Sequence, residues 1–445
     1  MKEYTQQGLV ANGKGVDTFV PELIEQQKWY IKRIMNHVNP YTGLAYKDDP
    51  VFAMMEINNE NAFYRCMLTY ADKTDRLPQV FRDALQTLWQ EYLEEQYGSI
   101  DRLNEEWSTE YAGFQSVRIP DSFKTFRTDP AQFRQQYRRA FYEFAYEIDR
   151  RYASEMRDYI KGTIGVRVPL TFTQVDYSFL RIAAEYSDFI DTHTYWCYPH
   201  AKLVPGKSFL DASVQFGNYS IVPFSQGIFG KINSYRVDGK PYVISEIDIP
   251  TANDYGGEAP LIQTLNSTLQ DHDAIIFYAY KMRPEHKRYM IFSLANDFVK
   301  LSQYPLAASI FRGCNVAPLR PSVTYEIGLG EEMETALRSG FYTHPLLSKN
   351  YQTVEKDFSE VPVNVLRHAR VYVKSKEGAS LHPSDEDLEI AEDERFRWFS
   401  KKSTPMKSYW RFEDSRYNLF AGFTLRLDQC RFRKAELRGV RSGNH

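Results

Sequence analysis

Hydrophobic and polar positions change their period along this chain, and the changes outline its elements. From Pro21 to His37 apolar residues recur at helical spacing behind a proline suited to a first turn, which predicts an amphipathic helix. Asn39-Pro40-Tyr41-Thr42-Gly43 reads as a loop, and the apolar run Val51-Phe52-Ala53-Met54-Met55 has no helical phase. It ends in Glu56-Ile57-Asn58-Asn59-Glu60-Asn61, so it predicts a buried parallel strand with polar residues at its C-terminal end. Residues 79–107 and 130–161 read as long helices rich in Gln, Glu, Arg and aromatics.

Beyond these helices the pattern alternates. Strands are expected at Ile164 to Thr173, Phe189 to Trp196, Tyr242 to Ile247 and Ala274 to Tyr280. Helices are expected at Phe179 to Tyr186, Leu261 to Gln270 and about Asp297 to Arg312. Such alternation implies βαβ units and a parallel sheet, hence an α/β fold. From about Pro318 the texture changes to short strands, Val363 to Val373 and Tyr417 to Leu427, between polar loops. The expected division is therefore an α/β domain over 1–315 and a β-rich accessory domain over 316–445. No repeat of fixed period is present.

Composition narrows the partners. The 445 residues carry 55 Lys plus Arg against 58 Asp plus Glu, a net charge of −3, which disfavours a broad basic field for nucleic acid. Aromatic residues reach 15%, mainly 32 Tyr and 29 Phe, which suits either a Tyr-rich core or stacking platforms for the apolar faces of sugars. Cys66, Cys197, Cys314 and Cys430 lie far apart, and His200, His272, His286, His344 and His382 show no ligand spacing, so neither metal nor cofactor is expected. No apolar run is long enough to span a membrane, and the first residues show no apolar h-region, so no signal peptide is expected.

Two predicted strand ends each present a glutamate, Glu60 after Asn59 and Glu246 after Ser245. In a (β/α)-barrel such ends face one cleft. Two carboxyls across a cleft suit glycosidic cleavage, one donating a proton to the leaving oxygen and one attacking the anomeric carbon. Each residue also has a plainer reading: a rim glutamate, a core histidine at His193, a packed ring at Tyr195. Glu56 and Asn58 share parity with Glu60 and would face the interior, Glu56 beside a buried cation. Trp196, Tyr278 and Tyr280 line sugar subsites or pack in the core.

Glu56-Ile57-Asn58-Asn59-Glu60-Asn61 resembles the Asn-Glu signature ending the fourth strand of clan A glycoside hydrolases. Val243-Ile244-Ser245-Glu246 resembles the seventh strand of that clan, and His193-Thr194-Tyr195 its sixth. The run Asn36 to Gly43 and the segment Phe311 to Val316 are similar to bacterial proteins of glycoside hydrolase family 5. The resemblance, over roughly residues 15–315, implies a (β/α)8 TIM-type barrel and retaining hydrolysis of a β-linked glycan. It implies Glu60 as acid/base, Glu246 as nucleophile, Asn59 on the sugar 2-OH, Tyr195 donating to Glu246 and His193 adjusting protonation. Trp196 and Tyr278 join these as expected substrate contacts. Burial should raise the pKa of the acid, and the Tyr195 bond should lower that of the nucleophile.

An intact clan member has three βα units before the Asn-Glu strand, whereas here about 50 residues precede it. Strands one to three are therefore expected to be missing and strands four to eight recognisable. The rival expectation is an inactive fragment or a non-catalytic glycan-binding remnant. Relatives of this kind are commonly exported, which leaves localisation open.

Overall fold

A computed structural model describes residues 14–69, 77–198, 200–202, 213–215, 217–222, 227–251, 253–281, 292–313, 316–340, 342–347, 361–377, 396–399, 409–413 and 418–422. Pro21–Met35 forms helix α1, opened by a proline with no N–H to lose and burying Ile24, Ile31 and Met35. Met55–Glu56 is strand β1. Helix α2, Gln79–Tyr97, stops at Gly98, whose φ of 69° needs no Cβ to be accommodated. Ser99 then caps a separate helix, Ile100–Trp107, by accepting from the Arg102 N–H at 3.3 Å. The single helix expected over 79–107 is thus two.

Helix α3, Gln135–Asp158, leads to β2, Leu170–Thr171, which pairs in parallel with β1, Met55 opposite Leu170. Helix α4, Leu180–Tyr186, leads to β3, Ile190–Tyr195. A hairpin of β4, His200–Lys202, and β5, Ser213–Gln215, follows, then helix α5, Gly227–Asn233, and β6, Tyr242–Asp248. Helix α6, Thr264–Leu269, β7, Ala274–Phe277, and helix α7, Phe298–Arg312, complete the alternation. Strands β3, β6 and β7 form a parallel sheet in the order β3-β6-β7. These five strands, one parallel pair and one parallel three-stranded sheet interleaved with helices, are a TIM-type α/β arrangement with strands four to eight recognisable. No described helix is long and apolar enough to cross a membrane.

Strand β1 is shorter than the apolar run predicts. Val51 is 83% exposed and Met54 39%, and among the described residues β1 pairs only with β2. Two cores hold the elements. The first joins α1, α2 and α3 to β1 and β2 through aromatic packing, with Trp89 and Phe141 fully buried and their rings 5.4 Å apart. The second surrounds β3 and β6 and also takes in Val323, Tyr325, Ile327, Val365, Val371 and Val373.

Those last residues belong to β8, Ser322–Gly328, a helix at Val363–His368, and β9, Arg370–Lys376, which pairs in parallel with β8. Residues on both sides of the expected 315/316 boundary thus share this core, and the described residues of 316–377 combine helices with a parallel pair of strands. Val363 to His368 is helical where a strand was expected, since Val365, Leu366 and Ala369 reach the core at helical spacing after Pro362. An antiparallel meander of β10, Phe396–Phe399, β11, Tyr409–Glu413, and β12, Asn418–Gly422, follows. The remainder of the strand expected over Tyr417 to Leu427 lies outside the described residues.

Candidate active site

The C-terminal ends of β1, β2, β3 and β6 converge on one cluster. Along β3, Asp191, His193 and Tyr195 stand two residues apart and so share a face. On β6 the register slips: Thr192 lies opposite Ile244 and His193 opposite Glu246, so Ser245 is the extra residue of a bulge. The β7 side slips in the same place, between Ile244 and Ile247. The bulge lets consecutive residues, Ser245 and Glu246, both reach His193.

Glu60 sits in the turn just beyond β1 with a φ of 51°, an unusual conformation for a side chain-bearing residue. The surroundings hold it there. Its N–H donates to Gln174 Oε1 at 2.6 Å, and the next amide, of Asn61, donates to Thr173 Oγ1 at 3.2 Å. Asp149, buried in α3, accepts from the N–H groups of Phe63 at 2.6 Å and Tyr64 at 3.1 Å. Asn61 in turn accepts from the Gly15 N–H at 2.7 Å and donates to Asp17, which brings Lys14 Nζ to 3.9 Å from Glu60 Oε2.

His193 lies between the two glutamates. Its Nδ1 is 2.9 Å from Glu60 Oε1 and 3.6 Å from Glu246 Oε2, while Nε2 is 2.8 Å from Ser245 Oγ. Carboxylate oxygens of Glu60 and Glu246 and a ring nitrogen of His193 all lie within 4.8 Å of one another. That matches the close carboxyl pairing of retaining glycosidases, roughly 5–5.5 Å. It is also a spacing that a small cation could bridge. Tyr195 donates its hydroxyl to Glu246 Oε2. Tyr278 is half-buried, with its ring edge-on to Tyr195 at 6.3 Å. Asn59 is exposed beside Glu60.

The electrostatics reverse the expected polarity of the pair. Burial raises the Glu60 pKa, but the His193 hydrogen bond and charge outweigh it, and the carboxyl ends below its ordinary value. Burial also raises Glu246, and here His193 and Tyr195 offset it only in part, so Glu246 ends above its ordinary value. Among the described residues no Lys or Arg pairs with Glu246. Burial by itself lowers the His193 pKa, yet the Glu60 bond and the negative field of Glu246, Asp191 and Asp176 bring it above its usual value. Among the described residues no Lys or Arg pairs with Glu56, contrary to expectation. Gln174 donates to it, and burial pushes its pKa up to about 7.

Trp196 does not line the cluster. It is 1% exposed, packs in the second core, and its indole N–H donates to the Tyr219 carbonyl at 2.8 Å, so no face is left for a sugar. Tyr280 is 66% exposed at the end of β7. The sequence reading missed Gln174, Asp191 and Ser245, all of which bond within the cluster. Asp191 carried a signal, its parity with His193. Ser245 carried none, because only the bulge turns it inward.

The sequence model of the family Glyco_hydro_42, Beta-galactosidase, matches residues 22–248, just over half of the chain, and spans Glu60, Gln174, Asp191, His193, Tyr195, Ser245 and Glu246. A β-galactosidase from the Antarctic haloarchaeon Halorubrum lacusprofundi is similar in structure, with a TM-score of 0.51 at 15% identity, covering 80% of this chain and 51% of its own. A β-galactosidase from the psychrophilic Marinomonas ef1 also has a TM-score of 0.51, at 10% identity, covering 80% of this chain and 53% of its own. The chain thus spans about half the length of these structures, and the likeness is one of fold. No curated protein matches it significantly by sequence. The matching family is not the family 5 that the motifs resemble, and the agreement stands at the level of the clan.

Proposed function

The chain belongs to the Glyco_hydro_42 β-galactosidase family, and on that premise we propose that it is a retaining β-glycosidase acting on β-galactosides, with Glu60 as acid/base and Glu246 as nucleophile. The observation that carries this reading is the approach of the two carboxyl groups to within 4.8 Å across His193, at the ends of different strands. In the first step a Glu246 oxygen forms a bond to the anomeric carbon as the glycosidic C–O bond breaks. The leaving oxygen takes its proton from Glu60. In the second step water attacks the anomeric carbon, Glu60 accepts the proton, and the bond to Glu246 breaks.

The remaining residues have supporting roles in this reading. Tyr195 stabilises the ionised form of Glu246 through its hydrogen bond. Asn59 meets a sugar hydroxyl from its exposed place beside the acid, and Tyr278 offers a ring near Tyr195. The likeness to family 5 is read here as a trait of the clan.

The test uses nitrophenyl and dinitrophenyl β-galactosides. Glu246→Gln should remove turnover of both, whereas Glu60→Ala should spare only the dinitrophenyl substrate, whose leaving group needs no proton. Azide should rescue Glu60→Ala and give the β-galactosyl azide. A chelator should change nothing; loss of activity on chelation would favour a cation bridging Glu60, His193 and Glu246. Turnover surviving Glu246→Gln would exclude the nucleophile assignment. Wild-type protein that binds galactosides without hydrolysing them would favour the glycan-binding alternative.

A further inference from the structure

We propose that Gln174, Asp191 and Ser245 are positioning residues that lock His193 in a single tautomer, with Nε2 protonated and Nδ1 turned toward the proton that Glu60 delivers. The inference rests on the glycosidase reading for its consequence, but the lock itself follows from counting hydrogens around a closed ring of bonds.

The ring starts at a group with no freedom. A backbone N–H can only donate, and that of Glu60 meets Gln174 Oε1 at 2.6 Å. This fixes the orientation of the Gln174 amide, so its Nε2 must face Asp191 Oδ2, 2.9 Å away, and Glu56 Oε1. Asp191 also receives the Ser245 N–H at 3.0 Å and the Ser245 hydroxyl at 2.6 Å. The one hydroxyl hydrogen of Ser245 is thereby committed to Asp191. Toward His193 Nε2, at 2.8 Å, Ser245 Oγ can only accept, so Nε2 carries a hydrogen. The ring closes where Nδ1 meets Glu60 Oε1 at 2.9 Å.

With Nε2–H fixed, that last contact is a hydrogen bond only if one proton lies in it. An imidazolium facing a carboxylate and an imidazole facing a carboxylic acid are the same protonation state of the pair, differing in where the proton rests. The raised pKa of His193 and the lowered pKa of Glu60 describe this one proton resting on Nδ1. Other charged groups adjoin the ring. Glu246 faces Nδ1 from β6, and Asp191 lies 3.9 Å from Nε2 on the histidine's own strand. Asp176 pairs with Lys231 at 2.8 Å, and that ammonium also donates to the His193 carbonyl. Glu56 adjoins through Gln174, and Lys14 lies beside the far oxygen of Glu60.

Removing the Ser245 hydroxyl leaves Nε2 without an acceptor. The neutral imidazole then prefers Nδ1–H, donating to an ionised Glu60, and the site keeps no proton for the leaving group. The basic limb of kcat/KM for an unactivated β-galactoside should move to lower pH in Ser245→Ala, with a loss of roughly 10- to 100-fold near neutrality, below the full span of general acid catalysis. The dinitrophenyl substrate should keep its kcat/KM, whereas a merely structural defect would lower both alike. Ser245→Thr should restore the wild-type profile.

The deciding experiment needs no turnover. Two-bond proton–nitrogen NMR spectra of the full chain labelled with nitrogen-15 histidine, with the His193 signals identified by their loss in His193→Asn, report the tautomer directly. Above the pH at which the shared proton leaves Nδ1, wild type and Ser245→Thr should show neutral His193 as Nε2–H, and Ser245→Ala should show Nδ1–H. Ser245→Gly, which also lacks the hydroxyl, should likewise show Nδ1–H and serves as the second variant. A neutral Nδ1–H form in wild type above that pH, or an unchanged tautomer in both Ser245→Ala and Ser245→Gly, overturns the proposal. Failure of the glycosidase reading would appear separately, as wild-type protein that hydrolyses no β-galactoside.

Discussion

At the scale of single residues, the site depends on how one carboxyl is kept charged. Glu246 sits above its ordinary pKa because burial penalises its charge, and the Tyr195 hydroxyl is one of two groups working against that penalty. Tyr195→Phe removes a donor, so the Glu246 pKa should rise further. The ionised form of Glu246, the proposed nucleophile, then appears only at higher pH, and the acidic limb of kcat/KM moves up. Loss of one such donor should cost on the order of 10²–10³ in kcat, as for a single oxyanion-hole donor. Rates on nitrophenyl β-galactoside across pH would check this, and a profile that keeps its acidic limb would argue against the bond. The glutamates, His193 and Tyr195 were legible because each follows a strand pattern. The polarity of the pair was not, because it depends on which carboxyl His193 approaches more closely, 2.9 Å against 3.6 Å, and no spacing in sequence encodes that. Trp196 was misread for a related reason: its orientation into the core follows from the bond to Tyr219, a residue in a later loop.

At the scale of elements, period and composition were enough for β3, β6 and β7, short strand-like runs that alternate with helical ones. They failed at β1, where an apolar run stays exposed, since a run records only the potential for burial and not the presence of a neighbour. They also missed the β6 bulge, because one inserted residue leaves the composition of the strand unchanged while turning Glu246 toward His193. The helical layer is better specified. Phe141 on α3 is fully buried among Trp89 at 5.4 Å, Phe126 at 5.1 Å, Phe144 at 5.7 Å and Phe123 at 5.9 Å. Rings this interlocked relax little around a void, so Phe141→Ala should destabilise the fold by about 3–5 kcal/mol, measured as a lowered urea midpoint at unchanged m-value. Its effect on kcat should be slight in protein that remains folded, since no side chain of the site touches that ring. A loss below about 1 kcal/mol would mean that the aromatic layer is looser than its rings suggest.

At the scale of the whole molecule, buried carboxyl groups set how stability responds to pH. Burial raises Glu56 and Asp149 to about 7, Glu258 to about 7 and Glu332 to about 8. In the unfolded chain such groups titrate near 4. Between these values the folded state holds more protons than the unfolded one, so each group makes folding less favourable as pH rises through that window. Glu332 is the clearest case, fully buried and accepting from the N–H groups of Leu180 at 2.5 Å and Arg181 at 3.2 Å at the start of α4. Asp188 acts in the other direction: burial alone would raise it, but Arg157, Lys161 and the Leu170 N–H bring it down to about 2. Its contribution is present above the unfolded value near 4 and is lost as pH falls toward 2. The two trends together place maximal stability on the mildly acidic side, roughly pH 4–6, with a decline through pH 7 to 8. Thermal unfolding across this range should show that decline, and Glu332→Gln, which keeps an acceptor for the α4 amides but has no charge to bury, should flatten it above pH 6. A Tm that climbs steadily from pH 5 to 8 would mean that these carboxyls are ionised in the folded protein at little cost. The clustering of burial and negative charge that tunes the candidate site would then not extend through the fold.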